Sequence, residues 1–171
     1  AYGTALNSSI LTIANLAPTA TNIILNSSMK LNKTNETLQG YWSFSDTDGD
    51  AQQNNETKWY NNSVEVTQFR NLTTIGRNAT KGQNWTFSVR VYDGTDWSSW
   101  VNSSNLTIRN AAPILNTTIP NQSWSEGGSV TINLSLYFID IDNDDLNFSS
   151  TAPSSISVSI DQTTNIATLT A

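Results

Sequence analysis

Ser129-Val130-Thr131-Ile132-Asn133-Leu134-Ser135-Leu136-Tyr137-Phe138 carries an apolar residue at every second position from Val130 to Phe138. A period of two sends alternate side chains to opposite faces of an extended chain, whereas a helix face needs a period near 3.6. The stretch therefore predicts a β-strand with one apolar face. A second stripe follows at Ile156, Val158 and Ile160, closed by a turn at Asp161 to Asn165. Upstream, Leu38, Gly40, Trp42 and Phe44 alternate with polar residues, as do Trp85, Phe87, Val89 and Val91. Ser63 to Phe69 alternates too, with Val64 and Val66 on one face, and Asn61-Asn62 and Asp93-Gly94 are turn pairs. No stretch sustains a helical period, so the fold class is expected to be all-β.

The strands are organised by an internal repeat. Asn7-Ser-Ser-Ile-Leu-Thr-Ile-Ala-Asn15-Leu-Ala-Pro18 recurs as Asn102-Ser-Ser-Asn-Leu-Thr-Ile-Arg-Asn110-Ala-Ala-Pro113, 95 positions later. That spacing is about the length of one immunoglobulin-like β-sandwich. Residues 1–17 are then expected to be the last strand of a preceding or neighbouring domain. Residues 18–112 form one sandwich, and 113–171 a second that is incomplete at its C-terminal end. The short linker Ala111-Ala112-Pro113 limits hinging between them. A strand from Ser8 to Asn15 without a domain of its own, and an unfinished sheet edge at the other end, suit donor-strand joining of subunits head to tail. Two arbitrary cuts in one long polypeptide of such repeats would look the same.

Fifteen asparagines lie in Asn-x-Ser/Thr, none with Pro between: Asn7, Asn26, Asn32, Asn35, Asn55, Asn61, Asn71, Asn78, Asn84, Asn102, Asn105, Asn116, Asn121, Asn133 and Asn147. This is the N-glycosylation acceptor pattern, and chance from the Asn, Ser and Thr content gives only roughly six. Strand parity sends Asn133 to the polar face of its strand, sets Asn147 between inward Leu146 and Phe148, and opposes Asn105 to Leu106 and Ile108. Charged residues make up only 13% of the 171 residues, so glycans and polar side chains must supply much of the solvation. A glycan coat implies an extracellular location.

Inventory excludes several functions. With no Cys and no His, zinc sites and Ser-His or Cys-His catalysis are out of reach. A net charge of −6 disfavours binding to nucleic acid. No apolar run is long enough to cross a bilayer as a helix. Glycoside hydrolysis needs only two carboxylates, but Glu is scarce and the Asp clusters lie in turns with no apolar pocket to raise a pKa. The chain is expected not to be an enzyme.

Those clusters are Asp46, Asp48 and Asp50, after Phe44, and Asp140, Asp142, Asp144 and Asp145, after Phe138. Clustered carboxylates repel unless a cation neutralises them, so Ca²⁺ is the candidate ligand. Asp and Gly also make good turns on their own. The EF-hand pattern fails, with Gly49 at the fourth position and Thr57 and Thr151 at the twelfth. Trp42, Trp59 and Trp85 sit at core parity, while Trp97, Trp100 and Trp124 lie in or near loops, as interface or sugar-stacking candidates.

Phe44-Ser-Asp-Thr-Asp-Gly-Asp50, Lys58-Trp59-Tyr60, the strand Trp85 to Tyr92 with Asp93-Gly94, and the closing Leu-Thr-Ile-x-Asn-x-Ala-Pro resemble tandem PKD-like or Ig-like repeats. Ile119-Pro-Asn-Gln-Ser-Trp124-Ser-Glu126, continuing through Tyr137-Phe138-Ile-Asp140-Ile-Asp142, resembles the dystroglycan-type cadherin-like repeat. Such repeats are common in archaeal and bacterial cell-surface proteins, so the resemblance implies tandem β-sandwiches at a cell surface. The expected role is a structural subunit of a heavily N-glycosylated filament or surface layer (S-layer). Its partners would be copies of itself or repeats of the same chain. The alternative is an adhesin or carbohydrate-binding module using exposed Trp and Ca²⁺.

Overall fold

The computed structural model describes residues 13–77 and 79–171. Asn7 and Asn78, and most of the expected strand from Ser8 to Asn15, lie outside the described residues. The chain is nearly all β, with no helix of seven residues or more among the described residues. No helix among them is long and apolar enough to cross a membrane. The chain divides into two compact units that interleave along the sequence. Unit 1 comprises Ala1–Asn26, Leu38–Ile75 and Asn84–Leu106; unit 2 comprises Ser27–Thr37, Gly76–Gln83 and Thr107–Ala171.

Strands β1 (Thr19–Ser27), β2 (Leu38–Ser45), β3 (Asn54–Asn61), β4 (Val64–Glu65), β5 (Thr74–Ile75), β6 (Asn84–Tyr92), β7 (Val101–Asn102) and β8 (Leu106–Thr107) make two sheets. One has the order β1-β2-β5 and the other β4-β3-β6-β7, with β8 also paired to β6. The antiparallel β3–β6 ladder runs from Asn54 opposite Tyr92 to Asn61 opposite Trp85. On one of its faces Thr57, Trp59, Trp85, Phe87, Val89 and Val91 are all buried. Alternation puts them there, as the sequence period demands.

Two sheets pack closely only where side chains from one fit the surface of the other. Here the fit is made at Gly40 of β2, where an added Cβ would lie 2.5 Å from ring carbons of Phe87. Phe87 is also edge-on to Trp59 at 5.0 Å and stacked on half-buried Trp42 at 6.2 Å. Leu38 and Ile75, paired across β2 and β5, complete the core. The Trp59 indole N–H donates to the carbonyl of Leu72 at 2.8 Å, so this buried polar atom is satisfied.

In unit 2, β10 (Ser129–Asn133), β12 (Ser157–Asp161) and β13 (Ile166–Thr170) form an antiparallel sheet with β13 central. Val130, Leu169 and Val158 line up across it, as do Ile132, Ala167 and Ile160. These rows give the sheet one apolar face. The β12–β13 turn is held by the Asp161 carboxylate, which accepts from the backbone N–H of Thr163 (2.8 Å) and Thr164 (3.2 Å). Those bonds hold its carboxyl below the usual range. A separate pair, β9 (Ile114–Leu115) and β11 (Phe138–Ile139), sets Leu115 opposite Phe138, which meets Phe148 edge-on at 5.5 Å.

Two strand expectations fail for local reasons. The stripe from Val130 to Phe138 is not one strand: β10 ends at Asn133, a 3₁₀ turn spans Leu134–Leu136, and β11 follows. The Asn133 side-chain carbonyl accepts from the Ser135 N–H at 3.1 Å, offering the backbone an alternative to the ladder. Leu134 turns inward and Leu136 is left exposed. The stretch Ser63 to Phe69 likewise contributes only the two residues of β4 before a 3₁₀ turn at Thr67–Phe69, and Val64 is exposed. Asn62 and Ser63, both at positive φ, make a tight hairpin instead.

Candidate functional site

The described sequon asparagines avoid the core. Asn35, Asn71, Asn84, Asn102, Asn105, Asn116, Asn121, Asn133 and Asn147 are exposed, and Asn26, Asn32, Asn55 and Asn61 are intermediate. Asn55 and Asn61 share the parity of buried Thr57 and Trp59, so the strand pattern alone does not turn every acceptor outward. Both sit at ends of β3, where the core thins out; the Asn61 carbonyl oxygen is buried without a hydrogen-bond partner. Asn32, Asn35 and Asn71 adopt positive φ, which Asn tolerates in turns.

Four of these acceptors are bonded through one particular side-chain atom. In Asn32, Asn71, Asn105 and Asn133 the carbonyl oxygen accepts, from the Ser27 hydroxyl, the Thr57 N–H, the Thr86 hydroxyl and the Ser135 N–H respectively. The amide nitrogen is the atom an N-glycan takes, and these bonds do not use it. Outside sequons the use is mixed: Asn54 and Asn62 accept through oxygen from the N–H of Asn55 and Asn84, and Asn110 accepts from Lys81, while three asparagines also donate. Asn15 donates its amide to Asp93 (3.1 Å) and Asp96 (3.0 Å), Asn22 to Ser43 (3.4 Å) and Asn110 to Ala111 (3.1 Å).

The two acidic loops share one geometry. The Asp46 carboxylate accepts from the N–H of Asp48 (2.8 Å) and Asp50 (3.2 Å). Asp140 accepts in the same way from Asp142 (2.7 Å) and Asp144 (3.4 Å). The second Asp of each loop holds the backbone N–H after the repeat asparagine: Leu16 to Asp48 at 2.7 Å, and Ala111 to Asp142 at 2.6 Å. The 95-residue sequence repeat thus recurs as the same hydrogen bonds, one set in each unit.

As metal candidates the loops differ. Asp140, Asp142 and Asp144 bring carboxylate oxygens within 4.8 Å of one another, and Asp145 is exposed outside that group. Among the described residues no such grouping forms at Asp46, Asp48 and Asp50. The Asp140 group already has protein partners. Lys81 forms an ion pair with Asp144, and the Thr34 hydroxyl and Ala111 N–H donate to Asp142. The Asp144 hydrogen bond holds the Lys81 ammonium above the usual lysine range. One further carboxylate oxygen, on Asp140, is buried without a hydrogen-bond partner, and so is its counterpart on Asp46. A cation at the Asp140 group would share the site with Lys81, which sequence spacing gave no means of placing.

Trp97 and Trp100 carry cations on their rings. Trp97 stacks on Tyr92 at 4.9 Å, and the Arg90 guanidinium lies 4.6 Å from its centroid and 5.1 Å from that of Trp100. The Lys58 ammonium lies 4.3 Å from the Trp100 centroid. Contacts of this kind contribute about 0.5–1 kcal/mol each at exposed sites. Glu56 pairs with Arg90 at 2.6 Å, and Glu65 with Arg70 at 2.5 Å and Lys58 at 4.0 Å. Trp124 is half-buried, its indole nitrogen buried without a hydrogen-bond partner. No protein-family model matches the chain, and no curated protein matches it in sequence.

Proposed function

We propose that the chain is a structural, non-enzymatic part of an extracellular, N-glycosylated assembly, a filament or surface layer, built from tandem immunoglobulin-like β-sandwiches. One observation carries this reading. Thirteen sequon asparagines can be placed and none is buried, and in Asn32, Asn71, Asn105 and Asn133 the side-chain bond is made through the oxygen rather than the glycan-accepting nitrogen. A globular catalyst has no need of so many exposed or half-exposed acceptors. The paired sheets of unit 1 and the repeated Asp-loop bonds support the tandem-sandwich part. Strand donation between copies is supported by a contrast within the repeat: Ile13 is 86% exposed, whereas Ile108, its counterpart, is 1% exposed. Mass measurement of the native protein before and after deglycosylation, with imaging of the native specimen, tests the whole. A mass that deglycosylation leaves unchanged refutes the coat. Normal assembly by a chain lacking residues 1–17 refutes strand donation.

The carbohydrate-binding alternative draws on the Trp100 cleft, whose wall joins an indole to polar and charged groups. Glycan-array binding that is lost in Trp97→Ala or Trp100→Ala would favour it over the structural reading.

A further inference from the structure

The Trp100 indole borders an open cleft of about 470 Å³ in unit 1, lined also by Lys58, Arg70, Arg90, Glu56 and Asn71. That volume falls in the range of small-molecule sites, about 300–1,000 Å³. Lys58, Arg70 and Arg90 are three of the eight basic residues of a chain whose net charge is −6. The carboxylates paired with them are two, Glu56 and Glu65, so the cleft keeps a positive surplus. The Lys58 ammonium and Arg90 guanidinium already lie over the Trp100 ring, at 4.3 and 5.1 Å from its centroid, so a sugar here would pack its ring carbons on the part of the indole they leave open while its oxygens accept hydrogen bonds from them.

Asn71, at the rim of this cleft, is itself a glycan acceptor. Its position is unusually fixed. At φ 60° it donates its backbone N–H to the Thr57 carbonyl at 2.9 Å, and its side-chain oxygen accepts from the Thr57 N–H at 3.3 Å. The next residue is bolted down as well, since the Leu72 carbonyl accepts from both Trp59 and the Thr57 hydroxyl at 2.8 Å. A sugar attached here starts from a rigid root and needs little further ordering to reach the cleft.

We propose that the cleft is the seat of the glycan carried on Asn71. The first sugars fold back against Trp100, and their hydroxyl or carboxylate oxygens are taken by Lys58, Arg70 and Arg90. The glycan at this position then acts as a packed part of unit 1 rather than as a freely moving chain. The inference rests on the reading that the chain is N-glycosylated, and specifically that Asn71 is occupied.

The test is a thermal-unfolding cycle on the native glycoprotein, with Thr73→Ala to abolish the acceptor while keeping the Asn71 bonds, Trp100→Ala to remove the wall, and the pair combined. Glycopeptide mass spectrometry reports occupancy of Asn71. The expected result is an occupied site and a Trp100→Ala loss of melting temperature about 2–4 °C larger with the glycan than without it. Arg70→Gln, at an exposed side chain, shows a smaller coupling of the same sign and covers the case in which Trp100→Ala fails to fold. An occupied Asn71 with additive effects overturns the seat and leaves the glycosylation reading standing. An unoccupied Asn71 overturns the seat, and occupancy at the other acceptors then decides the wider reading.

Discussion

Gly40→Ala is the sharpest probe of how the sheets of unit 1 meet. Its Cβ would lie 2.5 Å from three ring carbons of Phe87, against an ordinary contact near 3.5 Å, so about 1 Å must be found somewhere. The ring cannot simply swing aside. Phe87 is fully buried, with Trp59 edge-on to it and Trp42 stacked on it. Forcing a methyl into such packing costs about 1–3 kcal/mol. Gly40 is not at positive φ, so alanine is free of backbone strain and recovers about 0.4–1 kcal/mol from the less mobile unfolded chain. The net loss is then at most about 2.6 kcal/mol and vanishes only where the lowest cost meets the largest recovery. For a chain of this length that lowers the melting temperature by up to about 10 °C. Differential scanning calorimetry measures it, and Gly40→Ala combined with Phe87→Leu should recover part of the loss. A Gly40→Ala protein that melts above the parent temperature refutes the close approach of β2 to Phe87.

Three other outcomes are expected. Trp59→Phe keeps the edge-on ring but removes the N–H bond to Leu72, destabilising the chain by about 1–2 kcal/mol in urea titrations without changing the slope. Glu36 is a pH probe. Burial pushes its carboxyl up, but hydrogen bonds from Ser27 and the backbone of Lys33, Met29 and Leu31 outweigh this and leave it below its ordinary 4.5. Its contribution is therefore present above that value and lost as pH falls through the lower folded one, so stability measured from pH 6 to 3 should fall more steeply than in Glu36→Gln. Lys81→Met removes the counter-charge of the Asp140 group; the melting temperature should fall, and millimolar Ca²⁺ should raise it more than in the parent. An equal Ca²⁺ response in both proteins counts against Lys81 as that counter-charge.

What was legible in the sequence was legible for a physical reason. Trp85, Phe87, Val89 and Val91 alternate because one face of β6 is buried, and nothing local competes with that pattern. Asp161 to Asn165 reads as a turn because an aspartate carboxylate captures the next backbone N–H groups wherever it sits. The same habit hid the break after Asn133, whose side chain interrupts a perfect alternation that hydrophobicity alone extends to Phe138. The matching of the two acidic loops followed from their spacing after Phe44 and Phe138. The partners of those loops did not, because Lys81 and Asp144 are 63 positions apart and each looks like an ordinary surface charge. Asn61 shows the limit of parity: inward on the strand, yet placed where the strand runs out.

The sequon side chains divide their two ends between two tasks, and this bears on how uniform the protein must be. Asn32, Asn71, Asn105 and Asn133 anchor turns and strand ends through oxygen, whereas a sugar is linked through nitrogen. Attaching a glycan does not require any of those anchors to break, and leaving a site bare does not remove one. Incomplete or uneven modification would therefore yield molecules of many masses around a common backbone structure. If the acceptors are occupied, the sugars at Asn32, Asn105 and Asn133 could vary without breaking these anchors, whereas those at Asn71 would also alter the packing proposed for its cleft.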